Sequence, residues 1–267
     1  MVIRLCVAGA TGWTGSAVVK GILATSDFQL VSAVARQKAG TDVGEALGRS
    51  AIGVKIAASL EEALVTPADV LIDYTGPEAV KGHVLAALDH GLRVVIGTSG
   101  LTASDYEEIE QRALKQNVGV IAAGNFSITA ALAKHFALIA AQYLPSWEII
   151  DYASANKIDA PSGTTRELAE ELAAVAQNQL AVPLEETHGS QEARGAAING
   201  TQVHSIRLPS YVIAFETIFG LPDERLTIRH DAGSEAEPYV GGTLLAVRRV
   251  IDLQGLVRGL DRLLFQS

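Results

Sequence analysis

The sequence predicts an α/β protein in two parts: an N-terminal half of βαβ units on a parallel sheet, and a C-terminal α+β half with a mixed or largely antiparallel sheet. Three observations lead there. The first 124 residues alternate short apolar runs with segments of helical spacing. Beyond an apolar segment at 125–144, four strand-like runs follow one another with few helices between them. With 267 residues and 48% apolar composition, the chain can bury two cores.

In chain order, "IRLCVA" (3–8), "FQLVSAVA" (28–35), "VLIDYT" (70–75), "RVVIGTS" (93–99) and "VGVIAAG" (118–124) read as strands buried on both faces. Between them "SAVVKGILAT", "PEAVKGHVLAALDHG" and "TASDYEEIEQRALKQN" read as helices. "NFSITAALAKHFALIAAQYL" (125–144) is a long apolar helix at the hinge, so residues 1–124 form one domain and 125–235 a second. In the second, "WEIIDYAS" (147–154), "TQVHSIRL" (201–208), "YVIAFETIFG" (211–220) and "ERLTIRHDA" (224–232) read as strands. Residues 177–200, polar and glycine-bearing, read as a long loop that is mobile or covers a site. The tail "YVGGTLLAVRRVIDLQGLVRGLDRLL" reads as helical, and helices within 236–267 are expected to pack back on the first domain.

Net charge is −9 with no basic cluster, which argues against nucleic acid. No run approaches a membrane span, and the N-terminus enters structure at once, so neither signal peptide nor anchor is expected. The lone Cys6 sits in an apolar run and reads as a buried, reduced thiol, consistent with the cytoplasm. The six histidines are scattered, so no metal site is expected. His83, His90 and His135 read as surface or packing residues, while His188 and Arg194 lie in the long loop, within reach of an anion.

After the first strand comes "GATGWTG", with Gly9, Gly12 and Gly15 leading into a helix. Such a turn lets backbone N–H groups approach a pyrophosphate at a helix N-terminus. The second strand ends "VARQK": no acid stands there for a ribose hydroxyl, and Arg36 instead suits the 2′-phosphate of NADPH. Ligands of open α/β sheets lie outside the carboxyl ends of the strands, which places Thr75, Gly97, Thr98 and Ser99 along the cofactor. Asp73 reads as a cap on the following turn.

The stretch "ASANKIDAPSGTTRELAEEL" (153–172) sets Lys157 and Asp159 in a polar loop beside a Pro-Ser-Gly-Thr turn. Ser162 and Thr164 suit the entrance of the next helix, and the N–H groups and hydroxyls of Ser162, Gly163 and Thr164 suit an anion. A lysine beside an anion cradle is consistent with a small anionic ligand held by a few local cations and backbone amides.

Together "GATGWTG", "DYTGPEA", "IGTSGL", "AGNFS" and "KIDAPSGT" resemble the 4-hydroxy-tetrahydrodipicolinate reductase family of lysine and diaminopimelate synthesis, over essentially the whole chain. The resemblance implies a Rossmann dinucleotide-binding domain and a C-terminal α+β domain that binds substrate and forms a homotetramer. It implies NADPH as cofactor, with NADH as the alternative. Gly9, Ala10, Thr11, Gly12, Trp13 and Thr14 would hold the pyrophosphate and Arg36 the 2′-phosphate. Gly97, Thr98, Ser99, Ala123, Gly124, Asn125 and Phe126 would lie at the nicotinamide side. Lys157 would be the proton donor or charge partner, and Gly163 with Thr164 would grip a substrate carboxylate.

The chain departs from that family where Asp151, Tyr152, Ala153, Ser154, Ala155 and Asn156 replace a histidine-rich run ahead of Lys157. Ala153 stands at the position of the proposed general acid. Ser154 replaces a second histidine and can still donate a hydrogen bond to a carboxylate. Trp13 replaces an arginine, and "RLPS" (207–210) replaces Arg-Gly-Gly. His230 aligns with a family histidine and suits a supporting role. Three readings follow: reduction of the family substrate, reduction or reductive amination of another imine, and an NADPH-binding sensor without catalysis. The retained "KIDAPSGT" argues against the last.

Overall fold

The computed structural model describes residues 2–265. Two compact units emerge, one made of the chain up to Ile128 and from Ala236 onward, the other of Thr129–Glu235. The first begins with β1 (Ile3–Ala8), α1 (Trp13–Leu23), β2 (Phe28–Val34), α2 (Val43–Ala46), β3 (Ile56–Ala57), α3 (Leu60–Ala63), β4 (Val70–Asp73), α4 (Pro77–Asp89), β5 (Arg93–Ile96), α5 (Ala103–Gln116) and β6 (Gly119–Ala122). The second holds α6 (Ile128–Ala141), β7 (Ser146–Ala153), α7 (Gly163–Val175), β8 (Ala196–Ile198), β9 (Thr201–Arg207), β10 (Ile213–Leu221) and β11 (Glu224–Ala232). The chain then returns to the first unit with α8 (Glu237–Val250), β12 (Gly255–Arg258) and α9 (Leu260–Phe265).

The first unit carries a seven-stranded parallel sheet in the order β12-β6-β5-β4-β1-β2-β3. This is the Rossmann-like α/β class that the alternating runs predict. The strands are mostly apolar and buried because helices cover both faces; Cys6, Leu71, Val94 and Val120 form one side of the core with Val84 and Leu88 of α4 and Ile109 of α5. Chain order runs outward from β1 to β3 in one direction and from β4 to β6 in the other, so the topological switch point lies between β1 and β4. Helix α8 lies close on α1, where a Cβ on Gly21 would stand 2.3 Å from Val240 Cγ1.

The tail is not wholly helical as expected. Residues 255–258 form β12, which pairs in parallel with β6 from Gly255↔Gly119 to Arg258↔Ala122. The added strand satisfies the N–H and C=O groups that β6 would otherwise leave bare at the sheet edge. Residues 266 and 267 lie outside the described residues.

The second unit is a five-stranded mixed sheet, ordered β11-β10-β7-β9-β8, in which β7 and β9 are parallel and the other pairs antiparallel. Trp147, Ile149, Phe215 and Phe219 meet Ala133 and Ala137 of α6 and Leu168 and Leu172 of α7. Lys134 ties the two helices, with Nζ 3.0 Å from carboxylate oxygens of Glu167 and Glu171. Residues 177–200 are more ordered than a loop: they contain 3₁₀ turns at Leu184–Glu186 and Gln191–Arg194 as well as β8. Asn178 Nδ2 pins their start, donating to the carbonyls of Trp147 and Gly200. Among the described residues no helix is long and apolar enough to cross a membrane, and no group of acids, histidines and cysteine could hold a metal ion.

Candidate active site

The glycine turn sits where β1 ends, beside the switch point. Gly9 has φ +81°, and a Cβ there would lie 2.1 Å from the carbonyl oxygen of Tyr74. A Cβ on Gly15 would meet the Gly9 carbonyl oxygen at the same 2.1 Å, so both positions require glycine for close approach. Gly12 is the N-cap of α1 and supplies no side-chain acceptor, which leaves the first-turn N–H groups without a side-chain cap. Next to this turn lies a cavity of about 460 Å³ lined by Gly9, Thr11, Gly12, Arg36, Thr75, Gly76, Glu78 and His83 among others. Its walls are the carboxyl ends of β1, β2 and β4, and the uncapped turn, cavity and Arg36 fit the pyrophosphate and adenosine end of a dinucleotide.

Asp73, fully buried at the end of β4, organises this region. Its carboxylate accepts hydrogen bonds from Thr98 Oγ1 (2.6 Å), Thr75 Oγ1 (2.7 Å) and the Thr75 N–H (3.1 Å), and pairs with His83 Nδ1 at 2.9 Å. Burial pushes its carboxyl up, but the bonds from His83, Thr98 and Thr75 outweigh this and hold it below the usual carboxylate range. The hydroxyls of Thr75 and Thr98 are therefore turned inward, and so is the Thr75 N–H, which also donates to Thr98 Oγ1 at 2.8 Å. Gly97 is walled by the Tyr74 ring, 2.1 Å from where a Cβ would sit, and Ser99 is exposed.

Among the other expected cofactor residues, Ala10, Ala123 and Phe126 are buried and can offer only backbone. The Phe126 ring packs edge-on against Tyr74 with centroids 6.2 Å apart. Gly124 is exposed, and Asn125 folds its Oδ1 back onto the Ser127 N–H at 2.8 Å. Thr11 and Thr14 are half-buried, and Trp13 is exposed and edge-on to Tyr239.

In the second unit, the 157–164 turn hangs on Asp151, which is fully buried. Alternation along β7 puts Trp147, Ile149, Asp151 and Ala153 in turn among buried positions, so an acid there must find partners. It has five: Ser162 Oγ (2.6 Å), Ser162 N (3.0 Å), Thr165 Oγ1 (2.9 Å), Ser205 Oγ (3.2 Å) and Arg207 Nη2 (2.7 Å). Burial raises its carboxyl and these donors, Ser162 and Arg207 foremost, hold it below the ordinary value. Arg207 also donates to the carbonyl of Asp159 at 2.7 Å, fastening both ends of the turn to β7 and β9.

Ser162 is consequently turned inward as the N-cap of α7, not toward a ligand as expected; its hydroxyl already accepts the Thr165 N–H. Gly163 and Thr164 open the helix, exposed and half-buried. Lys157 Nζ stands 2.8 Å from Asp159 Oδ1 on the same turn, and Ser154 is half-buried two residues beyond the Tyr152 ring. Ala153 is fully buried at the end of β7. Sequence reasoning missed Asp151 and Arg207 as anchors, and Glu78 and His83 as cavity residues. For Asp151 a signal existed, a single acid at a core position of a strand.

Residues 3–126 match the family described as dihydrodipicolinate reductase, N-terminus, and residues 126–264 its C-terminus. The chain is 38% identical to the 4-hydroxy-tetrahydrodipicolinate reductase of Thermosynechococcus vestitus, over 98% of this chain and 97% of that one. It is 40% identical to that of Moorella thermoacetica, over 98% of each. A solved dipicolinate-bound dihydrodipicolinate reductase from Paenisporosarcina sp. TG-14 superposes with a TM-score of 0.86 at 31% identity, covering 98% of this chain and 99% of that one. An amine dehydrogenase from Mycobacterium smegmatis, 16% identical with a TM-score of 0.67, shares the fold alone. With both halves matched and the glycine turn and the Asp151-anchored turn in place, the chain belongs to the dihydrodipicolinate reductase family.

Proposed function

We propose that this protein is an NAD(P)H-dependent reductase of 4-hydroxy-tetrahydrodipicolinate, acting in lysine and diaminopimelate biosynthesis. The observation that carries this is the Lys157–Thr164 turn, held by buried Asp151 and Arg207 in a chain that matches the family through both halves. The reduced nicotinamide supplies hydride when bound. The chain's own residues bind, orient and neutralise. The N–H groups of Gly163 and Thr164, at the start of α7, face a substrate carboxylate, as helix N-termini do. Lys157 places an ammonium where the imine nitrogen gains charge and can give that nitrogen a proton, with Asp159 holding the side chain on the turn. Ser154 offers a hydroxyl to a second carboxylate oxygen.

The preferred cofactor is NADPH, supported by Arg36 and the absence of an acid at the end of β2. The active species is a homotetramer, supported by the apolar side chains that the second sheet leaves exposed, Leu221 and Leu226 among them; a cytoplasmic location follows from the same reading as a metabolic enzyme. The sequence resemblance, which sets Ala153 and Ser154 at histidine positions of the family, supports a second reading, reduction of another carboxylated imine. Ala153 is too deeply buried for an imidazole to enter without displacing its neighbours, so Ser154 is the nearer position for a proton-carrying side chain. Oxidation of NADPH in the presence of a panel of cyclic imines separates the readings. Preference for 4-hydroxy-tetrahydrodipicolinate supports the first, and preference for a different imine supports the second.

A further inference from the structure

In dinucleotide-binding sheets the residue at the end of the second strand sets cofactor choice: an acid accepts the ribose hydroxyls, whereas an arginine takes a 2′-phosphate. Here β2 ends at Val34 and passes through Ala35 to Arg36, with no acid. A carboxylate nevertheless reaches this place from another element. Glu78, in the first turn of α4, sets its Oε1 3.4 Å from Arg36 Nη2, and both side chains line the same cavity. The carboxylate is folded back across Gly76, its oxygens 2.7 and 2.8 Å from where a Cβ on that glycine would stand. Glycine at 76 thus leaves room for Glu78 to lie over the cavity.

Two of the other charged or titratable groups near the cavity are already tied. His83 is tied to Asp73, and Lys38 spends its ammonium on the carbonyl of Ala46 at 2.7 Å. Among the residues lining the cavity, Arg36 is the one lysine or arginine, and Glu61 is the other acid beside Glu78. The Arg36–Glu78 pair is exposed, with side-chain accessibilities of 84% and 65%, so it opens at little cost.

We propose that Glu78 is the specificity-determining carboxylate of the cofactor site. With NADH it accepts the adenosine ribose hydroxyls, as an acid at the end of β2 would; with NADPH it opposes the 2′-phosphate, and Arg36 exchanges Glu78 for that phosphate. The inference rests on the reading of this cavity as the adenosine end of the cofactor site. Glu78 therefore moderates the preference that Arg36 confers and keeps NADH usable.

The test is the dissociation constant of NADH and of NADPH for the wild type, Glu78→Gln and Arg36→Ala, measured by calorimetry. Glu78→Gln is expected to weaken NADH by about tenfold, the worth of one charge-assisted hydrogen bond, and to tighten NADPH. Arg36→Ala is expected to weaken NADPH while leaving NADH nearly unchanged. If Arg36→Ala shifts the NADPH-to-NADH ratio and Glu78→Gln does not, the role given to Glu78 is overturned while the cavity reading stands. If neither substitution shifts the ratio, the cavity reading falls and the inference with it.

Discussion

Replacing Asp151 by asparagine removes one charge from the centre of the second unit while keeping the side chain's shape. The native carboxylate is fully buried, accepts five hydrogen bonds and faces Arg207 at 2.7 Å. An amide keeps one acceptor oxygen but turns an NH₂ group toward donors, either the Ser162 N–H and Arg207 on one side or the Ser162 and Thr165 hydroxyls on the other. Breaking one partner of a buried ion pair costs about 3–5 kcal/mol. Arg207 is 16% exposed and keeps the carbonyls of Asp159 and Ile206, which draws the expected loss toward the lower end, about 3 kcal/mol. The chain has two tryptophans, Trp13 in the first unit and buried Trp147 in the second. In a Trp13→Phe background, urea unfolding followed by fluorescence reports the second unit alone. The same substitution should raise KM for the substrate, because the turn carrying Lys157 and Gly163 loses its anchor. A loss below about 1 kcal/mol, the level of an exposed pair, would refute the claim that Asp151 organises the turn.

The remaining expectations concern pH and assembly. Burial lowers the His230 imidazole below its ordinary 6.5, with Asp231 opposing. A group depressed in the folded state binds protons first in the unfolded chain, so its stabilisation is present above 6.5 and is lost as pH falls from there through the folded value. Asp73 and Asp151, both held below 3.8, contribute stability above that value and lose it as pH falls further. Urea midpoints measured against pH should fall in two stages, with the upper one absent in His230→Gln; a flat profile down to 3.8 in the wild type contradicts the first assignment. Light scattering at micromolar concentration should give a tetramer, and a monomer removes that part of the functional reading.

What the sequence made legible was what periodicity and backbone geometry express locally. The first-unit strands were readable because burial on both faces leaves continuous apolar runs such as "VLIDYT". The glycine turn was readable because only glycine tolerates the approach to the Tyr74 carbonyl at Gly9. β12 escaped because four residues of "GLVR" carry no period that separates strand from helix, and the long helix α8 just upstream invites continuation. β3, with two residues, has no pattern at all. The candidate site divides in the same way. Lys157 and the turn beside it are contiguous in sequence, but their anchors depend on register, since Asp151 lies opposite Ser205 and reaches Arg207 only through the parallel pairing of β7 with β9. Glu78 was hidden because its partner, Arg36, is 42 residues away at the end of another strand.

In the proposed mechanism Lys157 supplies the charge for reduction of the family substrate. Neither the alanine at 153 nor the serine at 154 can act as an imidazole acid, a group worth about 10²–10⁴ in rate, so the wild type should oxidise NADPH slowly with 4-hydroxy-tetrahydrodipicolinate. Lys157→Ala should remove most of that turnover while NADPH binding stays unchanged, since the lysine belongs neither to the glycine turn nor to the lining of the cavity beside it. The measurement is single-turnover NADPH oxidation by both proteins with that substrate, beside NADPH affinity. Slow oxidation in the wild type that Lys157→Ala abolishes is the result expected. Equal rates in the two proteins, or no oxidation with this substrate alongside brisk oxidation with another imine, would contradict it.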